Sequence, residues 1–98
     1  MKLKDLLAGV AVLETNAPSD TEITGVRYAS NRVQTGELFV AVPGYATDGH
    51  KYIPDAVRRG AAVILCERDM PTGTLWVRVA STRQALHRLA DKIRRIFA

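Results

Sequence analysis

The stretch that decides the fold runs from Leu38 to Cys66, LFVAVPGYATDGHKYIPDAVRRGAAVILC. It opens on Leu38-Phe39-Val40-Ala41-Val42 and closes on a second continuous apolar run, Ala61 to Cys66. Short runs without polar alternation suit strands covered on both faces, as in a parallel sheet. Between them Pro43 stops the first strand, and Gly44-Tyr45-Ala46-Thr47-Asp48-Gly49-His50 supplies turn formers. Ile53, Ala56 and Val57 then mark one face of a short helix, with Pro54 in its first turn. Gly60 is placed to end that helix after Arg58 and Arg59. Strand, helix, strand predicts a right-handed crossover between parallel neighbours, the local signature of an α/β sheet.

Upstream, Leu3, Leu6 and Leu7 fall at helical spacing and Gly9 follows, so a short amphipathic helix is expected there. Asn16 to Asp20 carries turn formers, and Ile23, Val26 and Tyr28 then mark a strand ending at Ala29 and Ser30. Downstream, Pro71-Thr72-Gly73 turns the chain into Leu75 to Val79, where Leu75, Val77 and Val79 share one face and Trp76 and Arg78 the other. Ser81 and Gln84 form a capping box, after which Leu86, Leu89, Ala90, Ile93 and Phe97 trace the apolar stripe of a last helix. The expectation is a single domain over residues 1–98: α/β, with a small mixed, mostly parallel sheet of four to five strands flanked by helices.

Composition bounds the function. With 98 residues, 47% of them hydrophobic and 24% charged, the chain has material for one compact domain. No apolar run approaches the roughly 20 residues that span a bilayer, and acidic residues lie where a signal peptide would be apolar, so a cytoplasmic domain is expected, with no membrane partner. Cys66, the single cysteine, has no partner for a disulfide or a thiolate metal site and reads as a buried thiol. A net charge of +4 favours anionic ligands without choosing among them. There is no G-x-x-x-x-G-K-[ST] loop, G-x-S-x-G elbow, H-E-x-x-H pair or Cys/His cluster, so a self-contained enzyme is not expected.

Two loops that follow strands are where such a sheet places ligands: Tyr28 to Gly36 and Pro43 to His50. Ser30, Thr47 and the amides around Gly44 and Gly49 could hydrogen-bond phosphate oxygens, and a helix starting near Tyr52 would add its partly positive end. Two plain glycine-bearing turns would show the same pattern. His87, beside the last apolar stripe, reads as a solvated or core-edge residue; His50 stays open as a functional residue.

The run Tyr28-Ala29-Ser30-Asn31-Arg32-Val33-Gln34-Thr35-Gly36-Glu37-Leu38-Phe39-Val40-Ala41-Val42-Pro43-Gly44-Tyr45-Ala46-Thr47-Asp48-Gly49-His50 resembles the first-domain signature of MurE-type muramyl-peptide ligases, D-S-R-x-V-x-x-G-D-L-F-V-A-x-x-G-x-x-x-D-G-H. Tyr52-Ile53, Ala56, Arg59-Gly60-Ala61 and the S-T-R-x-A-L opening of the last helix extend the likeness over nearly the whole chain from Glu22. The resemblance implies a Mur ligase N-terminal domain, which holds the uridine-diphosphate end of UDP-MurNAc-L-Ala-D-Glu while the ligase adds meso-diaminopimelate or L-lysine. By motif position it assigns substrate contacts to Tyr28, Ser30, Tyr45, Ala46 and Thr47, with no catalytic residue and no metal ligand in this domain. ATP and magnesium would belong to central and C-terminal domains that this sequence does not contain, and those domains would be its partners. One departure stands out: Ala29-Ser30-Asn31 replaces Asp-Ser-Arg, with Arg32 one position late. In an extended segment that shift sends Arg32 to the opposite side.

Other readings stay open. The MurF-type ligase, which adds D-Ala-D-Ala, shares D-S-R and D-G-H, but its second loop is worded differently. Arg83, Arg88, Lys92, Arg94 and Arg95 on the last helix could form a nucleic-acid-binding face, though Asp91 interrupts it and no such motif accompanies it, so nucleic acid is not the expected partner. A scaffold packing on a neighbouring domain is the third reading.

Overall fold

The computed structural model describes residues 1–44 and 46–97. Five strands form one sheet: β1 (Glu14–Thr15), β2 (Val26–Arg27), β3 (Leu38–Val40), β4 (Val63–Cys66) and β5 (Leu75–Arg78). Their order across the sheet is β1-β5-β4-β3-β2. β2 to β5 run parallel, and β1 closes the β5 edge antiparallel. Helices α1 (Leu3–Leu6), α2 (Ile53–Arg58) and α3 (Thr82–Phe97) flank the sheet. The mostly parallel α/β architecture expected from the two apolar runs is present, with β3-α2-β4 as its central unit.

Alternation along the strands sorts the core into two clusters. Leu38, Val40, Val63, Leu65, Val77 and Val79 pack with Leu3, Leu6, Ala85 and Leu89 from α1 and α3. Phe39, Ala41, Ile64 and Cys66 pack with Ile53 and Ala56 of α2, and with Val33. Every residue of β3 and β4 is buried, so neither face of these strands meets water. Each large side chain fully withdrawn in this way contributes about 1.5–3 kcal/mol, which is why the unbroken runs were readable as central strands. Leu75 joins the first cluster and Trp76 the second, as the alternation of β5 required.

Several element ends follow the local chemistry. Gly60 adopts φ 99° just past α2, and a Cβ there would stand 2.8 Å from Thr35 Oγ1 and 3.1 Å from Thr35 Cα. Both the backbone angle and the space require glycine. Ser81 Oγ accepts from the Gln84 N–H at 3.2 Å, the N-cap half of the expected capping box. The Phe97 side chain, last of the expected stripe, lies outside the described residues.

Two expectations needed correction. The strand expected from Ile23 to Ala29 and Ser30 keeps only Val26–Arg27. Ile23 is buried before pairing starts, and beyond Tyr28 the chain winds into a 3-10 turn, Ser30–Arg32. β1 went unforeseen because both of its residues are exposed and carry no apolar period. Polar contacts hold it: Thr15 Oγ1 donates to Trp76 O at 2.7 Å, and Asn16 Oδ1 accepts from the Trp76 N–H at 2.7 Å. No helix among the described residues is long and apolar enough to cross a membrane.

Candidate functional site

The β2–β3 connection passes through the 3-10 turn Ser30–Arg32, and the β3–β4 connection through a second 3-10 turn, Gly49–Tyr52, and α2. Both connections lie on the Phe39 face of the sheet, where Val33 and Ile53 pack in the same cluster. Between them, beyond the C-terminal ends of β2 and β3, an open cleft of about 630 Å³ is lined by Tyr28, Ala29, Ser30, Asn31, Val42, Thr47, Gly49, Tyr52, Asp55 and Arg58. Strand order advances from β2 to β5 without reversing, so this cleft arises between adjacent crossovers rather than at a topological switch point.

Tyr28, Ser30 and Thr47, chosen in sequence from two separate loops, therefore share one cavity. Tyr28 is 70% exposed and presents an open aromatic face. Thr47 Oγ1 donates to the Tyr52 hydroxyl at 3.4 Å. Ala46 is exposed and is not among the lining residues, while Tyr45 lies outside the described residues. Arg32 lines a neighbouring depression with Arg27, Tyr28 and Ala29. It misses the Ser30 cleft, but the extended segment that would have turned it away is in fact a 3-10 turn. α2 starts at Ile53 with Tyr52 as its N-cap residue, where the helix was expected to begin.

Sequence reading missed the charged wall of the cleft. Arg58 Nη2 donates to Asp55 Oδ1 at 2.5 Å, and Arg59 Nε donates to Asp55 Oδ2 at 3.1 Å. The neighbouring Ser30 side chain, followed by those arginine contacts, holds the Asp55 carboxyl below its usual range despite opposing desolvation. The i,i+3 and i,i+4 spacing of Asp55 to Arg58 and Arg59 was the available signal, since such pairs meet on a helix surface. Tyr52 carried no comparable signal.

His50 turns out to be a structural buckle. Its side chain is 1% exposed. The Nδ1–H donates to Asp48 Oδ1 at 2.8 Å, and Nε2 accepts from the Glu67 N–H at 2.9 Å, so both ring nitrogens are used and the neutral tautomer is set. Burial lowers its pKa, partly opposed by the charges of Glu67 and Asp69. Glu67 Oε2 in turn accepts from the Thr82 N–H at 2.9 Å, while buried Thr82 Oγ1 donates to Ala41 O at 2.8 Å. Gly49 completes the buckle, for a Cβ there would stand 2.6 Å from Val42 N and 2.8 Å from Val42 O. Asp48-Gly49-His50 thus ties the second loop to β3, β4 and the start of α3.

The basic side chains of α3 are largely spoken for. Arg83 donates to Pro43 O, and Arg94 pairs with Asp91. Lys92 Nζ donates to Asp5 O at 3.0 Å, Leu6 O at 3.1 Å and Ala8 O at 2.8 Å, capping α1. His87 is exposed, as expected.

A family model described as "Mur ligase family, catalytic domain" matches residues 22–94. The chain is 41% identical over 93 residues to the UDP-N-acetylmuramoyl-L-alanyl-D-glutamate–2,6-diaminopimelate ligase of Bacteroides fragilis, covering 92% of this chain and 19% of that protein. The Clostridioides difficile enzyme of the same name is 35% identical over 92 residues, covering 93% of this chain and 19% of its own length. Among solved structures, MurF from Acinetobacter baumannii superposes with a TM-score of 0.79 at 26% identity, over 90% of this chain and 20% of that one. MurF from Thermotoga maritima in complex with ADP gives a TM-score of 0.64 at 33% identity, over 76% of this chain and 18% of that one. The chain spans about a fifth of the length of the relatives it matches. The sequence relatives carry the MurE name and the structural neighbours the MurF name, which places the shared fold at the level of the wider family. With the matching segment covering most of the molecule, the chain belongs to the Mur ligase family, as a Mur ligase N-terminal domain whose sequence relatives are MurE ligases.

Proposed function

We propose that this domain recognises the uridine-diphosphate end of UDP-MurNAc-L-Ala-D-Glu, within an ATP-dependent ligase of peptidoglycan synthesis that adds meso-diaminopimelate or L-lysine. The observation that carries the reading is the convergence of Tyr28, Ser30 and Thr47 on one cleft at the strand ends. Tyr28 offers an aromatic face to a base, and the Ser30 and Thr47 hydroxyls can donate to ribose or phosphate oxygens. ATP and magnesium would act in other domains of such a ligase. This chain does not fit them: it has no G-x-x-x-x-G-K-[ST] loop, and among the described residues no three His, Cys, Asp or Glu side chains converge as a metal site.

Amide chemical shifts followed during titration with UDP, and then with UDP-MurNAc-L-Ala-D-Glu, test the reading. Shifts concentrated at Ser30, Thr47 and Gly49 are expected. Amides that stay still there at millimolar ligand overturn it.

A further inference from the structure

We infer that Arg58 is the phosphate-binding residue of this cleft, with Asp55 as the positioning residue that holds its guanidinium at the rim. This rests on the nucleotide reading above and names the group that would receive the diphosphate.

Among the described residues lining the cleft, Arg58 carries the positive charge and Asp55 the negative. A phosphate would be repelled by an unpaired carboxylate in the same cleft, so the partners of Asp55 decide whether the wall accepts an anion. Asp55 is shared by two guanidinium groups, Arg58 at 2.5 Å and Arg59 at 3.1 Å, so the three side chains together carry one net positive charge. Asp55 is 22% exposed, whereas Arg58 is 75% exposed. The arginine is therefore the more accessible member of the pair.

Guanidinium chemistry fits the role. Arginine has five N–H donors, and the contact with Asp55 Oδ1 runs through Nη2, leaving donors on the other nitrogens for phosphate oxygens. Ser30, from the β2–β3 turn, lines the same cleft wall as Asp55 and Arg58 of α2, so a hydroxyl and a guanidinium face one cavity. Arg32 stands in the neighbouring depression instead. No substrate contact implied by the family signature falls on Arg58, which lies beyond the signature's last residue, His50.

The test is an amide chemical-shift titration of the 98-residue chain with UDP and, separately, with uridine, which lacks phosphate. The variants are Arg58→Ala, Arg58→Lys and, as a charge-matched control remote from the cleft, Arg94→Ala. Arg58→Ala should weaken UDP binding by about tenfold, the order expected on losing a charge-assisted hydrogen bond, and leave uridine binding unchanged. Arg58→Lys should recover part of the UDP affinity, and Arg94→Ala should bind UDP as the parent does. Equal UDP affinity in Arg58→Ala and the parent overturns the inference while leaving the nucleotide reading intact. Equal losses for UDP and uridine also overturn it, because the contact would then be structural. A parent chain that binds neither ligand overturns the nucleotide reading and this inference with it.

Discussion

The imidazole Nε2 of His50 accepts the backbone N–H of Glu67 at 2.9 Å, joining the loop after β3 to the residue that follows β4. That acceptor exists only while the ring is neutral, because protonation makes both nitrogens donors. Burial lowers the His50 pKa below its ordinary 6.5, so the folded state takes up this proton less readily than the unfolded chain. The stabilisation is complete above pH 6.5 and is lost as pH falls through the depressed folded value. Urea midpoints measured from pH 7.5 downward should decline below about pH 6.5, and His50→Gln should flatten that part of the profile. The same slope in the variant would assign the acid sensitivity to another group.

Gly49→Ala tests the close approach of the second loop to β3. The new methyl would meet backbone atoms of Val42, which cannot swing aside as a side-chain tip can. A loss of about 1–3 kcal/mol is expected in chemical denaturation, with amide shifts at Thr47 and Tyr52 reporting a displaced cleft wall. Unchanged stability would mean that the loop relaxes freely.

Lys92→Met removes the ammonium that gathers three carbonyls at the end of α1 while keeping an apolar stem. About 1 kcal/mol of stability should go, since the contacts are only partly buried. Faster hydrogen exchange at Leu7, whose N–H donates to Leu3 O at 2.9 Å, would locate the effect in α1.

Cys66 is fully buried, and burial pushes its thiol up to about 11. The native protein should therefore be silent to a chromogenic disulfide reagent at pH 8, and should react with one equivalent once unfolded in urea. Rapid reaction of the native chain would show that the Phe39 face opens readily.

Much of this was legible in the chain itself. Leu38–Val42 and Ala61–Cys66 are apolar without alternation because both faces of β3 and β4 are covered, and that pattern alone pointed to a parallel α/β sheet. Ser30 and Thr47 stood out because small hydroxyl residues in glycine-bearing turns after strands suit ligand contacts. Glu14–Thr15 left no trace, for an exposed edge strand held by Thr15 and Asn16 buries no apolar face.

The linear order of residues was enough to establish the strand-helix-strand unit and the two loops, since periodicity and turn chemistry are local, while the wording of those loops carried the resemblance to the family. Only the tertiary structure decided that Ser30 and Thr47 share a cleft, that Arg58 rather than Arg32 supplies its positive charge, and that His50 is a buckle. Those outcomes depend on which crossovers lie side by side and on what each side chain meets across the sheet. Contacts between residues distant in sequence carry no local period, so packing alone settles them.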